Sequence, residues 1–311
     1  MAGPSERLRL GTRGSPLALW QAEWVARELK AGSPGLHVEI VKVRTLAEKF
    51  PERDVPEIGV GIFTRELDEA LLGGEIDLAV HSLKDVPSEI DPELQIAAVP
   101  PRESPFDAFI SADGAPFAHV AKGARIGTGS PRRKAQLLWS RPDLEIVPLR
   151  GNVATRLRKM EEQGLAGTIL AHAGLKRLDE EARITEVLPA DVILPAVSQG
   201  ALAVMIRRSS TELLDRLKQL DHSPSRIRIT AERAFLRRLR GGCQVPAGAL
   251  GTLTSDGSLH VEGIVSAPDG SASLRGVVTG APHSAEELGS RLANDLLERG
   301  GAEILASLRR S

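Results

Sequence analysis

The chain has 311 residues, 41% of them apolar and 26% charged, which is material for two or three folded domains and excludes a disordered chain. Forty Lys and Arg stand against 41 Asp and Glu, and there are six Phe, three Trp and no Tyr, so a general nucleic-acid binder with a basic excess and stacking platforms is not expected. A single Cys excludes an internal disulfide framework and a CxxC zinc site.

In chain order, Arg7–Thr12 alternates polar and apolar residues as a strand does, and Pro16–Lys30 carries Leu17, Trp20, Trp24 and Leu29 at helical spacing. Leu36–Arg44 alternates again, Phe63–Leu72 predicts a helix, and Ile76–His81 a short buried strand. A similar unit begins near residue 105. Strands are expected over Phe106–Ser111, Ala124–Thr128, Leu144–Leu149 and Gly167–Ala171, with helices over Pro131–Ser140 and Val153–Gln163 and a short helix to follow. This alternation predicts parallel sheets covered on both faces. Ser198–Arg208 reads as a strand returning to the first sheet, which makes the first domain discontinuous. The last third differs. A helix over Ser225–Arg240 precedes strands near 247–254, 258–265 and 273–279, separated by Asp256-Gly257 and Asp269-Gly270, both hairpin signals. Ser284 and Glu287 read as a capping box opening a final helix with Leu288, Leu292 and Leu296 inward.

Residues 1–15 (MAGPSERLRLGTRGS) lack the apolar core of a secretion signal. The longest apolar stretch without a charge, Val192 to Ile206, falls short of the roughly 20 residues a membrane span needs. A cytoplasmic protein without membrane contact is expected.

Chemistry concentrates where strands meet helices. Arg13-Gly14-Ser15-Pro16 and Gly129-Ser130-Pro131-Arg132-Arg133-Lys134 each put Ser at an N-cap and Pro at the first helical position. A helix start is already positive, so Arg132, Arg133 and Lys134 there make sense against an anion; the alternative is a solvated basic turn. A third junction carries Arg150, Asn152 and Arg156, and a fourth, His81-Ser82-Leu83-Lys84-Asp85, sets a hydroxyl, a cation and a carboxylate at a strand end. Ligands of doubly wound sheets bind outside the carboxyl ends of strands. Arg13, Lys84, Arg132, Arg133, Arg150 and Arg156 therefore suit a ligand with several carboxylates or phosphates. Amid these cations Asp85 can stabilise a developing cation or accept an N–H; an Asp after a strand is also an ordinary turn residue. Cys243, after Gly241-Gly242, reads either as an exposed thiol activated by Arg238 and Arg240 or as a small buried apolar residue. The scattered histidines, His81 and His172 among them, read as structural, and no His pair, Walker loop or GxGxxG supports a metal or a nucleotide.

HSLKDVP (81–87), DAFIS (107–111), GTGSPRR (127–133), LRGNVATR (149–156), AGLKRL (173–178) and GGCQVP (241–246) occur in this order. Together they closely resemble the porphobilinogen deaminase (hydroxymethylbilane synthase) family over roughly residues 7–250. The resemblance implies an α/β fold, with two doubly wound domains of the type II periplasmic-binding-protein topology and a small C-terminal α+β domain. The boundaries expected are 1–99 with 200–218, 100–199, and 219–311. It implies a monomeric transferase of tetrapyrrole biosynthesis that joins four porphobilinogens head to tail, with loss of ammonia, on a covalent dipyrromethane primer, then releases the linear product by hydrolysis. By matching position, Cys243 anchors the primer by a thioether and Asp85 is the catalytic carboxylate. Ser82, Lys84, Asp85, Thr128, Ser130, Arg132, Arg133, Asn152 and Arg156 are expected to hold the cofactor. Arg13, Ser15, Gln21, Arg150, Arg156, Arg177 and Gln199 are expected to hold substrate and growing chain.

One stretch departs from the family pattern: Arg44-Thr45-Leu46-Ala47-Glu48 replaces RTxGD, and Val60 stands where the family has Lys. Altered turnover through a changed lid is one consequence. A solute-binding protein or regulator domain with the same two-domain plan is the alternative from another class, but it does not explain GGCQVP.

Overall fold

A computed structural model describes residues 7–33, 35–44, 63–240 and 245–307. From the N-terminus run β1 (Arg7–Thr12), α1 (Pro16–Gly32), β2 (His37–Lys42), α2 (Arg65–Leu72), β3 (Leu78–Ser82) and β4 (Leu94–Ala98). Then follow β5 (Asp107–Ser111), β6 (Arg125–Gly127), α3 (Pro131–Ser140), β7 (Glu145–Val147), α4 (Val153–Glu162), β8 (Gly167–Ala171), α5 (His172–Arg177) and β9 (Glu186–Leu188). The chain continues through β10 (Leu202–Arg207), α6 (Thr211–Leu217), α7 (Ser223–Arg238), β11 (Ala247–Leu253), β12 (Leu259–Ser266), β13 (Ser273–Gly280), α8 (Ala285–Leu296) and α9 (Ala302–Ser307). It folds as two compact units, Met1–Glu103 with Ala201–Arg226, and Ser104–Gly200 with Ile227–Ser311.

The first unit is an α/β layer on a five-stranded sheet ordered β2-β1-β3-β10-β4. Its core packs Leu10, Leu78, Val80 and Val204 of the strands against Ala22, Val25 and Leu29 of α1. These helix residues recur every three or four positions, so one stripe of α1 meets the sheet. The second unit repeats the plan with the order β7-β6-β8-β5-β9 and adds a three-stranded antiparallel sheet, β11-β12-β13. Leu288, Leu292 and Leu296 of α8 and Phe235 of α7 share a core with β11 and β12. Gly257 and Gly270 take positive φ (83° and 74°) at the two Asp-Gly turns, as hairpins of this kind require.

Both five-stranded sheets are mixed, which corrects the expectation of purely parallel ones. β10 runs antiparallel to β3 and β4, and β5 runs antiparallel to β8 and β9. In each case the reversed strand is the first after the chain crosses between units, at 103/104 and 200/201. No crossover helix precedes it, so nothing obliges it to run parallel. A second correction concerns α8. Its Ser284 makes no side-chain cap and has φ −94°, ψ 21°, because the chain arrives through a 3₁₀ turn (Pro282–Ser284) rather than in the extended form that a capping serine takes. Among the described residues, no helix is long and apolar enough to cross a membrane.

Candidate active site

In the first unit two strand ends and a helix start converge. Ser15, extended at φ −68°, ψ 148°, caps α1 by accepting from the Ala18 N–H, and Pro16 follows. Arg13, just before it, stacks its guanidinium over the Phe63 ring at 4.7 Å, a cation–π contact that orients the cation. One turn into α1, the buried Gln21 donates to Ser82 Oγ at 2.8 Å, tying α1 to the end of β3. A 3₁₀ turn, Leu83–Asp85, then carries Lys84 and Asp85, both half-buried, away from the strand. Arg13, Ser15, Gln21, Phe63, His81, Ser82 and Asp85 all line one recess of about 60 Å³. At ~10–15 Å³ per water, that admits a few waters or one functional group of a ligand. Among the described residues no side chain hydrogen-bonds or ion-pairs with Asp85.

The second unit holds a different arrangement. Ser130 caps α3 through the Arg133 N–H and Asn152 caps α4 through the Thr155 N–H at 2.9 Å. The turn at 127–130 lies against the end of β7: Thr128 N–H donates to the Val147 carbonyl, and a Cβ on Gly129 would sit 2.9 Å from the Leu149 carbonyl oxygen and 3.5 Å from Arg150 Cγ. Only glycine permits that approach. Thr128, Ser130, Arg150 and Asn152 are thereby gathered at the carboxyl ends of β6 and β7 and the start of α3, with Arg156 one turn into α4. A second, wholly buried cluster surrounds Asp107 on β5. Arg132 Nη2 donates to Asp107 Oδ2 at 2.7 Å; Arg133 donates to Oδ1 from Nη2 (2.7 Å) and Nε (3.1 Å); Gln199 Nε2 adds 2.9 Å. Arg132 also reaches the Leu194 carbonyl and Arg133 the Ile169 carbonyl. The carboxylate is 0% exposed and each guanidinium residue 4%. Burial pushes the Asp107 carboxyl up, but the two guanidiniums and the hydrogen bonds from Arg133 and Gln199 outweigh it and hold the group well below the usual carboxylate range. So the anion that Arg132 and Arg133 face at this helix start belongs to the protein itself. Arg177 is buried and donates to the Gly200 carbonyl at 2.7 Å.

Arg13, Ser15, Gln21, Ser82 and Asp85 thus meet in one recess, while Thr128, Ser130, Arg150 and Asn152 share one sheet end, and Arg132, Arg133 and Gln199 share Asp107. Cys243, its flanking Gly241, Gly242 and Gln244, and residues 45–62 with Val60 lie outside the described residues. Asp107 and His81 were given no binding role from sequence, although a charged residue amid the apolar positions of Asp107–Ser111 is itself a signal, since a buried carboxylate requires partners.

A ligand with an acetate and a propionate on each ring needs guanidinium, hydroxyl and amide donors, and Ser130, Arg150, Asn152 and Thr128 supply them at one sheet end. They fit. A family model described as porphobilinogen deaminase, dipyromethane cofactor binding domain, matches residues 8–215, and one described as porphobilinogen deaminase, C-terminal domain, matches 226–298. The porphobilinogen deaminase of Pelotomaculum thermopropionicum is 49% identical over 303 residues, covering 97% of each chain. That of Syntrophotalea carbinolica is 48% identical over 305 residues, covering 98% of this chain and 96% of its own. Among solved structures, the VFT2 domain of Bordetella pertussis BvgS matches with a TM-score of 0.42 at 17% identity, over 69% of this chain and 85% of that one. The chain belongs to the porphobilinogen deaminase family.

Proposed function

We propose that the chain is a transferase that condenses four porphobilinogens head to tail, losing ammonia at each step, and releases the linear tetrapyrrole by hydrolysis. The observation that carries this reading is the recess in which Asp85, without a hydrogen-bond partner among the described residues, shares its walls with Arg13, Ser15, Gln21 and Ser82. An anion held there stabilises the cation that forms on a pyrrole ring as its amine departs, an electrostatic contribution available only as charge develops. The half-buried Arg13 and the Ser15 hydroxyl take a ring carboxylate and fix the ring against Asp85. In the second unit Ser130, Arg150, Asn152 and Arg156 hold carboxylates directly. Arg132 and Arg133, expected from the sequence to hold the cofactor directly, instead form with Gln199, through Asp107, the buried frame behind them. Lys84 and Thr128 complete the cofactor contacts, and Arg177 and Gln199 those to the chain. When bound through Cys243, dipyrromethane supplies a nucleophilic pyrrole carbon and fixes where the chain grows.

Three domains, the third carrying Cys243, a monomeric state and a cytoplasmic location belong to the same reading. Intact-mass measurement on freshly purified protein tests it. An increment of two pyrrole units, lost in Cys243→Ala, together with tetrapyrrole formed from porphobilinogen, is the expected result; an unmodified mass and no product would overturn it in favour of a binding protein.

A further inference from the structure

One buried ionisable side chain of the first unit has no part in the scheme above. His81 lies in β3, 4% exposed, and lines the same recess as Asp85. Its Nε2 is buried and has no hydrogen-bond partner among the described residues. Its polar neighbours Gln21 and Ser82 are bonded to one another. A fold rarely buries a ring nitrogen unanswered unless a partner arrives from outside. Among the described residues, the charged groups lining the recess are Arg13 and Asp85. Burial, and after it the Arg13 guanidinium, pushes the His81 pKa down to about 4, so the ring is neutral at ordinary pH.

We propose that His81 is a substrate-binding residue that accepts a hydrogen bond from the aminomethyl ammonium group of porphobilinogen and so holds the leaving amine beside Asp85. The chemistry suits a neutral ring. An alkylammonium like that of lysine keeps its proton to about pH 10, and so depressed a histidine does not remove it. The amine therefore stays protonated while bound and departs as neutral ammonia. A basic, unburied histidine in this position would carry charge of its own and repel the ammonium. The inference rests on reading the recess as the place where substrate loses its amine.

The test uses holoenzyme with His81→Leu, His81→Phe, His81→Gln and Asp85→Asn, with porphobilinogen as substrate and, as competitive inhibitor, its analogue bearing methyl in place of aminomethyl. Both apolar variants should raise KM for porphobilinogen about tenfold and leave the analogue's inhibition constant within twofold, with Gln restoring part of the loss through its amide oxygen. Equal weakening for substrate and analogue, or an unchanged KM, overturns the proposal. If the apolar variants do not fold, the 15N signal of His81 in Asp85→Asn decides: it should shift with porphobilinogen and not with the analogue, and an unmoved signal overturns the assignment. If Asp85→Asn turns over normally, the recess is not the reaction site and both readings fall. If it loses turnover while His81 fails its own test, only His81 is withdrawn.

Discussion

Asp85 and Asp107 are both carboxylates near strand ends that share a site with arginine and glutamine, yet one is open and the other engaged on both oxygens. Both oxygens of Asp107 are taken, by two guanidiniums and an amide, out of water. Asp85 is half-buried, lines a recess and has no hydrogen-bond partner among the described residues. A carboxylate with every acceptor position filled organises its neighbours; one left unfilled can answer a charge that appears later. The composition of the two sites is nearly alike, and their state of satisfaction separates scaffold from chemistry.

That contrast can be broken first at Asp107. Asp107→Asn leaves two buried guanidiniums without their anion and should cost about 3–5 kcal/mol in urea unfolding; a loss under about 1 kcal/mol would mean that the cluster is not the frame described. Asp85→Asn should do the reverse, lowering kcat about 100-fold or more while melting temperature and substrate binding stay near the wild-type values. Near-normal turnover removes Asp85 from the mechanism.

Acid sharpens the comparison. Because the Asp107 pKa is lowered on folding, its stabilisation is complete above the unfolded carboxyl value of about 4 and is lost as pH falls towards the folded one. The stability gap between wild type and Asp107→Asn should therefore be constant near neutrality and shrink below about pH 4. His81 acts in a higher window. With a folded pKa of about 4 against the ordinary 6.5, the unfolded chain binds the extra proton between those values, so wild type loses stability as pH falls from 6.5 to 4. His81→Gln should flatten that slope in a series of unfolding curves, and an unchanged slope would mean that the ring is not buried neutral.

The smallest effect separates two serines. Ser130→Ala removes a real cap and should cost about 1 kcal/mol, whereas Ser284→Ala removes none and should lie within about 0.5 kcal/mol of wild type. Equal losses would show that the two helix starts are alike after all.

Much of this architecture is legible in the sequence because local signals and tertiary packing agree. Pro131–Ser140 is bounded as its capping predicts, and Gly167–Ala171 forms the strand expected there. β4 is not legible: LQIAA is short, is followed by two prolines and has β10 as its sheet partner, so its strand character comes from a pairing distant in sequence. The same distance hides the frame around Asp107. Arg132 and Arg133 announce a bound anion, but only the fold brings residue 107 beneath them; from sequence alone, an internal carboxylate and an external one look identical. In the first unit, the Ser15 cap and the residues after β3 are readable as a site and Ile76–His81 as a buried strand, but only the fold shows that the His81 ring lines the recess with Asp85.

The placement of β10 between β3 and β4 bears on how the chain matures. β4 is complete near residue 98, but its neighbour begins at residue 202, so during synthesis it waits without a partner while residues 104–200 emerge and fold. Closing that interval carries an entropy cost of about 4 kcal/mol by loop-length scaling, reduced by whatever structure the intervening segment has already formed. The N-terminal unit is thus finished only after the centre of the chain has left the ribosome. For that period β3 and β4 present unpaired edges on which another chain can pair.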